Sequence, residues 1–239
     1  MSTDPIIITP DFVWPTPDDN GSRTLANGAR IERDAVIKQR AVIGQRAVIG
    51  PSAVIGPYTV IKSDVVIGQG VRIGRGAVIG PDVVIGPGVV IGPYTVIGPG
   101  VVIGQGVRIG RGAVIGPYAV IEPDVVIGQH ASIGQCAVIG QCAVIEQDAR
   151  IERHAIIGRG ARVGPNARWI ACVGFADGYY KDLCEVGDVA YIGAGCRWFT
   201  LGEALRHWGN HEEDRQDTLD LMQAAVAIAK RRGLKLEEA

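Results

Sequence analysis

Aromatic residues are scarce in this 239-residue chain, at 5%. Hydrophobic residues nevertheless reach 47%, so a sizeable core must close on Val, Ile and Ala side chains and not on rings. Long apolar runs are absent. Nothing approaches the ~18 residues that would suggest a membrane span. An excess of one charge is absent too: 24 Lys and Arg meet 25 Asp and Glu, which with the high apolar content argues against disorder. Cysteines number only five, an odd count with no Cys-x-x-Cys spacing. Residues 1–17 show no basic n-region or apolar h-region, so the expectation is reduced thiols in a cytoplasmic protein. What the chain has in quantity is glycine, 34 residues, roughly twice the usual share. It does not recur every third residue, which excludes collagen.

Charge is unevenly placed. Residues 1–24 and 169–239 are net acidic and residues 25–168 net basic, which suggests complementarity between parts or between chains. Basic residues are scattered along the sequence without aromatics between them. That pattern points away from nucleic acid.

From Leu25 to Val163 every sixth residue is Leu, Ile or Val, giving 24 consecutive hexapeptides over 25–168 without an insertion. Typical units are Ile43-Gly-Gln-Arg-Ala-Val48 and Ile85-Gly-Pro-Gly-Val-Val90. Position 1 is aliphatic, position 5 is Ala, Val or Thr, and position 2 is mostly Gly. Position 5 and the next position 1 are two apart, so they share one side of a strand while position 6 points out. Positions 2 to 4 then turn the chain, where Gly, Pro, Asp and Asn are at home. A short strand and a corner, repeated, wind a coil. Residues 55–78 and 91–114 agree at all but 62–64 and 98–100, the mark of a recent duplication or of a designed array.

This repeat resembles the hexapeptide-repeat family. The resemblance implies a left-handed parallel β-helix with three hexapeptides per coil, hence about eight coils, mainly β, and typically a homotrimer of parallel solenoids. Residues 18 apart then stack. One outward column, Val48, Val66, Val84, Val102, Val120, Val138 and Ile156, is aliphatic throughout and is expected to face the trimer axis. The other two are broken by Arg72, Arg108 and Arg162, and by Ser132, Arg150 and Arg168.

The ends depart from the repeat. Residues 1–24 read as an extended arm whose Ile6, Ile7, Ile8, Phe12 and Trp14 cap the open first coil or dock to another protein. Residues 169–239 read as a small α+β (βββαα) domain. Its strands are expected at Trp169–Phe175, Tyr179–Glu185 and Val189–Ile192. Thr200-x-x-Glu203 and Asn210-x-x-Glu213 are capping boxes that open two helices, and Gly233 is the stop. The run from Ile192 to Trp208 resembles the C-terminal domain of uncharacterised bacterial and prophage proteins, which implies a phage-linked setting and possible partners for this domain, cytoplasmic or on a virion.

Many proteins of the hexapeptide family are acyltransferases using acetyl-CoA, with a His general base at a subunit interface beside a loop that interrupts the solenoid. No such loop occurs here. His130 and His154, both at position 4, are the candidate bases. Stacking pairs His130 with Asp148, Cys136 with His154, and Asp124 with Cys142. The family's zinc enzymes use three His, a count these two do not meet, so no metal is expected. Cys172, Cys184 and Cys196 read as small core residues, and His207 and His211 sit four apart but are separated by the helix start expected at Asn210. No Gly-x-Gly here precedes a strand-to-helix switch, so there is no phosphate loop. The first reading is a non-enzymatic homotrimeric rod or scaffold of phage origin, without cofactor. The alternative is an acyltransferase using acetyl-CoA, with His154 or His130 as base. A filament former is a third reading.

Overall fold

The computed structural model describes residues 4–176, 179–186, 188–194, 197–209 and 216–236. Its main body is a three-sided β-solenoid built from 23 two-residue strands, β3 (Arg30–Ile31) to β25 (Arg162–Val163). Every third strand stacks in parallel. Face one carries β3, β6 and so on to β24, face two β4 to β25, and face three β5 to β23. The 18-residue register is unbroken, for example Val84↔Val102↔Val120. Among the described residues no helix is long and apolar enough to cross a membrane.

The inward rows are those the period requires. Position 1 supplies a stack of Ile and position 5 small Ala and Val, both almost wholly buried. Thr59 and Thr95 take the small-residue slot, and their hydroxyls reach backbone carbonyls across rungs, Thr95 Oγ1 to Gly110 O at 3.1 Å and Thr59 Oγ1 to Gly74 O at 3.1 Å. Position 6 points outward. Position 4 holds the left-handed conformation, with Tyr58 at φ 60 and His130 at φ 56, so the corner tolerates any side chain that accepts this backbone.

Glycine at position 2 has another cause than the turn expected for it. A Cβ on Gly74 would lie 2.5 Å from the nitrogen of Pro93 in the next rung. The rungs stack ~4.8 Å apart, and this close approach excludes a side chain. Gly88 differs: it has φ +68 and nothing within 4 Å of an added Cβ.

Faces one and two each stack eight strands and face three seven, so seven 18-residue steps separate first from last on the longer faces, and the shaft is about seven turns and roughly 34 Å long. The repeat count suggested about eight. The two counts agree, because eight stacked strands are separated by seven steps. Leu25 and Ala29 are buried as the period requires and Arg30 opens β3, while β2 (Arg23–Thr24) folds back antiparallel on β3. The place below β5 (Val42–Ile43) is taken by the arm strand β1 (Ile6–Ile7), also antiparallel. Ile8 is buried, and Phe12 and Trp14 pack edge to face at 4.9 Å against the core.

At the other end β26 (Arg168–Ala176) continues face three, paired in parallel with β23 (Arg150–Ile151). β27 (Tyr179–Val186), β28 (Val189–Ala194) and β29 (Arg197–Thr200) follow as an antiparallel meander. The fourth of these strands is absent from the βββαα reading. α1 (Leu201–Gly209) and α2 (Gln216–Arg231) close a second core around Leu183, Ile192, Leu201, Trp208 and Met222. The first capping box forms as expected: Glu203 N donates to Thr200 Oγ1 at 3.2 Å, and Thr200 N to Glu203 Oε2 at 2.8 Å. Asn210 and Glu213 lie outside the described residues. Gly233, at φ +72, ends α2; Leu234 N donates to Ala229 O at 3.0 Å and Gly233 N to Lys230 O at 3.1 Å, a Schellman closure.

Two outcomes follow. Gly74→Ala must push two rungs apart and should lower the melting temperature more than Gly88→Ala, which meets only the left-handed backbone cost of about 1–2 kcal/mol. Equal losses in thermal unfolding would contradict the close-approach account. Second, the Thr200 hydrogen bonds hold the Glu203 carboxyl below the usual carboxylate range. A depressed folded pKa gives stability that is present above the unfolded value and lost as pH falls through the folded one. Glu203→Gln should therefore be less stable than the natural protein at neutral pH, with the gap closing as pH falls below the ordinary glutamate range. A gap constant from neutral to strongly acid pH would count against it.

Candidate functional site

The solenoid leaves positions 3, 4 and 6 free for chemistry, so any site must be assembled from corner and outward columns. The corner between faces two and three stacks His130, Asp148 and Asn166 on successive rungs. Asp148 N donates to Gln129 O at 2.9 Å and Asn166 N to Gln147 O at 3.1 Å. The His130 imidazole lies down over Gly112, where an added Cβ would come 2.6 Å from Nδ1. Glycine at 112 makes that pose available.

Beside this corner, face three turns from valine to Arg150 and Arg168. These arginines, with His130, Asp148, Asn166 and Glu185 of β27, line a groove of about 500 Å³. Arg168 is held by Glu152 at 2.8 Å and Glu185 at 3.4 Å. Arg232, after α2, reaches the same two carboxylates at 3.4 and 3.5 Å. Among the described residues Arg150 has no ion-pair partner, and it is exposed. The groove therefore offers one fixed and one free guanidinium beside an imidazole. A second, apolar cavity of about 320 Å³ involves Gly164, Pro165, Ala167, Val186 and Tyr191. Residues of the last rung contribute to both.

His154 lies elsewhere. It stacks over Cys136 on the corner between faces three and one, its backbone N–H donating to Gln135 O at 2.8 Å, and it is exposed. The two candidate bases are thus on different corners and do not meet. Cys142 stacks over Asp124 on the third corner, through Cys142 N to Pro123 O at 3.1 Å. Among the described residues no three His, Cys, Asp or Glu side chains gather as a metal site. Cys184 is buried in the shaft core; the side chains of Cys172 and Cys196, and all of His211, lie outside the described residues. His207 stacks on Phe199 at 5.4 Å.

The aliphatic column falls on face one in the expected register. Val66, Val84 and Val102 are each 43% exposed and Ile156 53%, open enough to be covered by a partner. His154 borders this face, whereas the groove lies on the opposite corner.

Sequence reading found His130 over Asp148, and separately the column of Ser132, Arg150 and Arg168. It did not join them into one groove, although the same 18-residue arithmetic puts the two columns side by side. Glu185 carried no such signal, because it arrives on the antiparallel meander.

The family described as bacterial transferase hexapeptide (six repeats) matches residues 46–81, 70–105, 82–116 and 106–141. The match and the solenoid itself support the hexapeptide-repeat, left-handed β-helix family over residues 46–141. Among solved structures, LpxA from Acinetobacter baumannii is 20% identical, over 58% of this chain and 70% of that one, with TM-score 0.33. A perosamine N-acetyltransferase variant from Caulobacter crescentus, in complex with CoA and GDP-perosamine, is 23% identical over 54% and 52%, TM-score 0.33. The UDP-N-acetylglucosamine acyltransferase of Francisella novicida is 25% identical over 60% and 65%, TM-score 0.37. The chain thus spans about half of the Caulobacter protein and about two thirds of the other two. No curated protein matches the sequence. These findings give the phage origin no support.

Proposed function

We propose that this protein is an acyl-transferring enzyme of the hexapeptide type, working in the groove at the C-terminal end of the shaft with His130 as general base. The observation that carries this reading is the groove itself: an imidazole, a free guanidinium and a fixed one lie around a volume that admits a small substrate. The match to a transferase repeat family supports it. In the proposed step, His130 takes the proton of an acceptor hydroxyl or amine. That oxygen or nitrogen bonds to the carbonyl carbon of an acyl thioester such as acetyl-CoA. The carbon–sulfur bond breaks, and the leaving thiolate takes the proton back from the imidazolium. Arg150 receives an anionic group of the donor. The adjoining apolar cavity suits the hydrocarbon part of an acyl chain. His154 has no part in this step, which departs from the family expectation of a base at a subunit interface.

Assembly through face one belongs to the same proposal. The exposed valine column fits a homotrimer, the usual state of hexapeptide relatives. The groove would then face outward, complete within one chain. Exposed Cys142 and half-buried Cys136, both free, fit a reducing cytoplasm.

A second reading keeps the shaft as a rigid spacer or scaffold. It is favoured by the solenoid itself, which carries no inserted loop between β3 and β25.

Two measurements test these readings. Calorimetric titration of acetyl-CoA into the purified protein should give saturable binding, weakened about tenfold by Arg150→Ala and unaffected by Arg33→Ala on another corner. In acceptor screens His130→Ala should lower transfer about 10²-fold or more, with His154→Ala unchanged. Flat heats at millimolar acetyl-CoA would leave the rod. For assembly, Val84→Asp with Val102→Asp should yield monomers by native mass measurement; an unchanged oligomer mass would sink the face-one interface.

A further inference from the structure

The corner between faces two and three carries a feature that the acyl-transfer reading does not use. On successive rungs it presents Arg40, Tyr58, Arg75, Tyr94, Arg111 and then His130. Cations and rings alternate along the solenoid axis. They do so only after folding, since each is one coil from the next in sequence, and the scattered bases of the sequence are here interleaved with aromatics. Tyr58 has guanidinium groups over it from both neighbours, Arg40 at 5.3 Å and Arg75 at 5.0 Å from the ring centre. Arg40 Nη1 also donates to the Tyr58 hydroxyl at 3.1 Å. Arg111 lies 5.6 Å from the Tyr94 ring centre. Glycine at 76 gives Tyr94 its place, since a Cβ there would meet the ring at 2.9 Å.

Charge on this part of the shaft is sorted by corner. Between Val36 and Ser132 the acids sit on the other two corners, Asp64 and Asp82 on one, Glu122 and Asp124 on the other. This corner has none. Arg46, on a neighbouring corner, is neutralised by Asp64 at 2.6 Å, whereas Arg75 and Arg111 have no ion-pair partner among the described residues. Outward Arg72 and Arg108 on face two add a cation beside each of them. The result is an edge of N–H and O–H donors without acidic acceptors, in which the Arg72–Arg75 pair recurs at Arg108–Arg111 two rungs on, about 10 Å away.

We propose that this edge binds a linear acidic polysaccharide bearing one carboxylate on every second sugar. An extended glycan advances about 5 Å per ring, close to the ~4.8 Å between rungs, so a disaccharide repeat keeps step with the arginine pairs. The carboxylates meet guanidinium groups, and sugar hydroxyls meet the tyrosine hydroxyl. A single-stranded nucleic acid fits less well, because its bases need open aromatic faces on which to stack and those of Tyr58 are already covered by guanidinium. The edge runs into the groove at His130, so the end of a bound chain would lie there. The binding itself stands whether or not acyl transfer occurs.

The test is binding of a hyaluronan decasaccharide to the full-length protein at low salt, about 50 mM, beside a neutral dextran fragment and an oligothymidylate of similar length. The expected result is saturable hyaluronan binding, weakened at least tenfold by the Arg75→Gln, Arg111→Gln double variant with unchanged melting temperature. The Arg33→Gln, Arg46→Gln double variant, which removes the same charge from other corners, should bind as the natural protein does. Equal loss in both double variants would reduce the effect to net charge and overturn the proposal. Tighter binding of oligothymidylate, equal binding of dextran, or no hyaluronan binding would overturn it as well.

Discussion

The spacing of hydrogen-bonded rungs governs this molecule. Backbone lies over backbone at ~4.8 Å along the shaft, and each free choice in the sequence is what that stacking leaves over. Gly74 and its equivalents below the last rung are bare because the next rung is less than 3 Å from where a side chain would begin. Position 5 stays small because three faces converge on one narrow core, while position 1 fills that core with isoleucine. Half of each hexapeptide is thereby committed. Chemistry is confined to corner and outward positions, and side chains 18 residues apart become neighbours.

That arithmetic explains what could be read in advance. Inward rows, the outward valine column and the vertical pairs at His130, Cys136 and Asp124 follow from one period. The Thr200–Glu203 box and the stop at Gly233 were legible for another reason, because both are local signals. At Leu25 the period held for burial, since Leu25 and Ala29 are both in the core, but it could not show that the arm strand takes the edge below β5. β29 was missed because a four-residue strand at the start of a helix has too little pattern to show. The groove was half legible. Its shaft side lies in two columns named separately, whereas Glu185 depends on how a meander folds back. The arginine–tyrosine edge was hidden for a related reason, because alternation that runs across coils looks like scatter along the chain.

The junction between shaft and tail illustrates which forces position a site. Arg168 and Arg232 share Glu152 and Glu185, yet such partly exposed pairs contribute only about 0–1 kcal/mol each. The tail is held instead by continuity of backbone: β26 is at once the last strand of face three and the first of the meander. The ion pairs act on a finer scale. They fix where the Arg168 guanidinium points, while Arg150, one rung below and unpaired among the described residues, is left available. A continuous sheet supplies the rigidity, and a charge network of small energy sets one groove wall.

The strand from Ile6 to Ile7 bears on the molecule as a whole. It closes the lowest edge of face three in the antiparallel sense, whereas every rung above pairs in parallel. A second solenoid arriving at that edge would meet hydrogen-bonding groups in the wrong polarity for its own rungs. The stacking that builds the shaft is a growth process without an intrinsic limit, and a two-residue strand of reversed direction terminates it at this face.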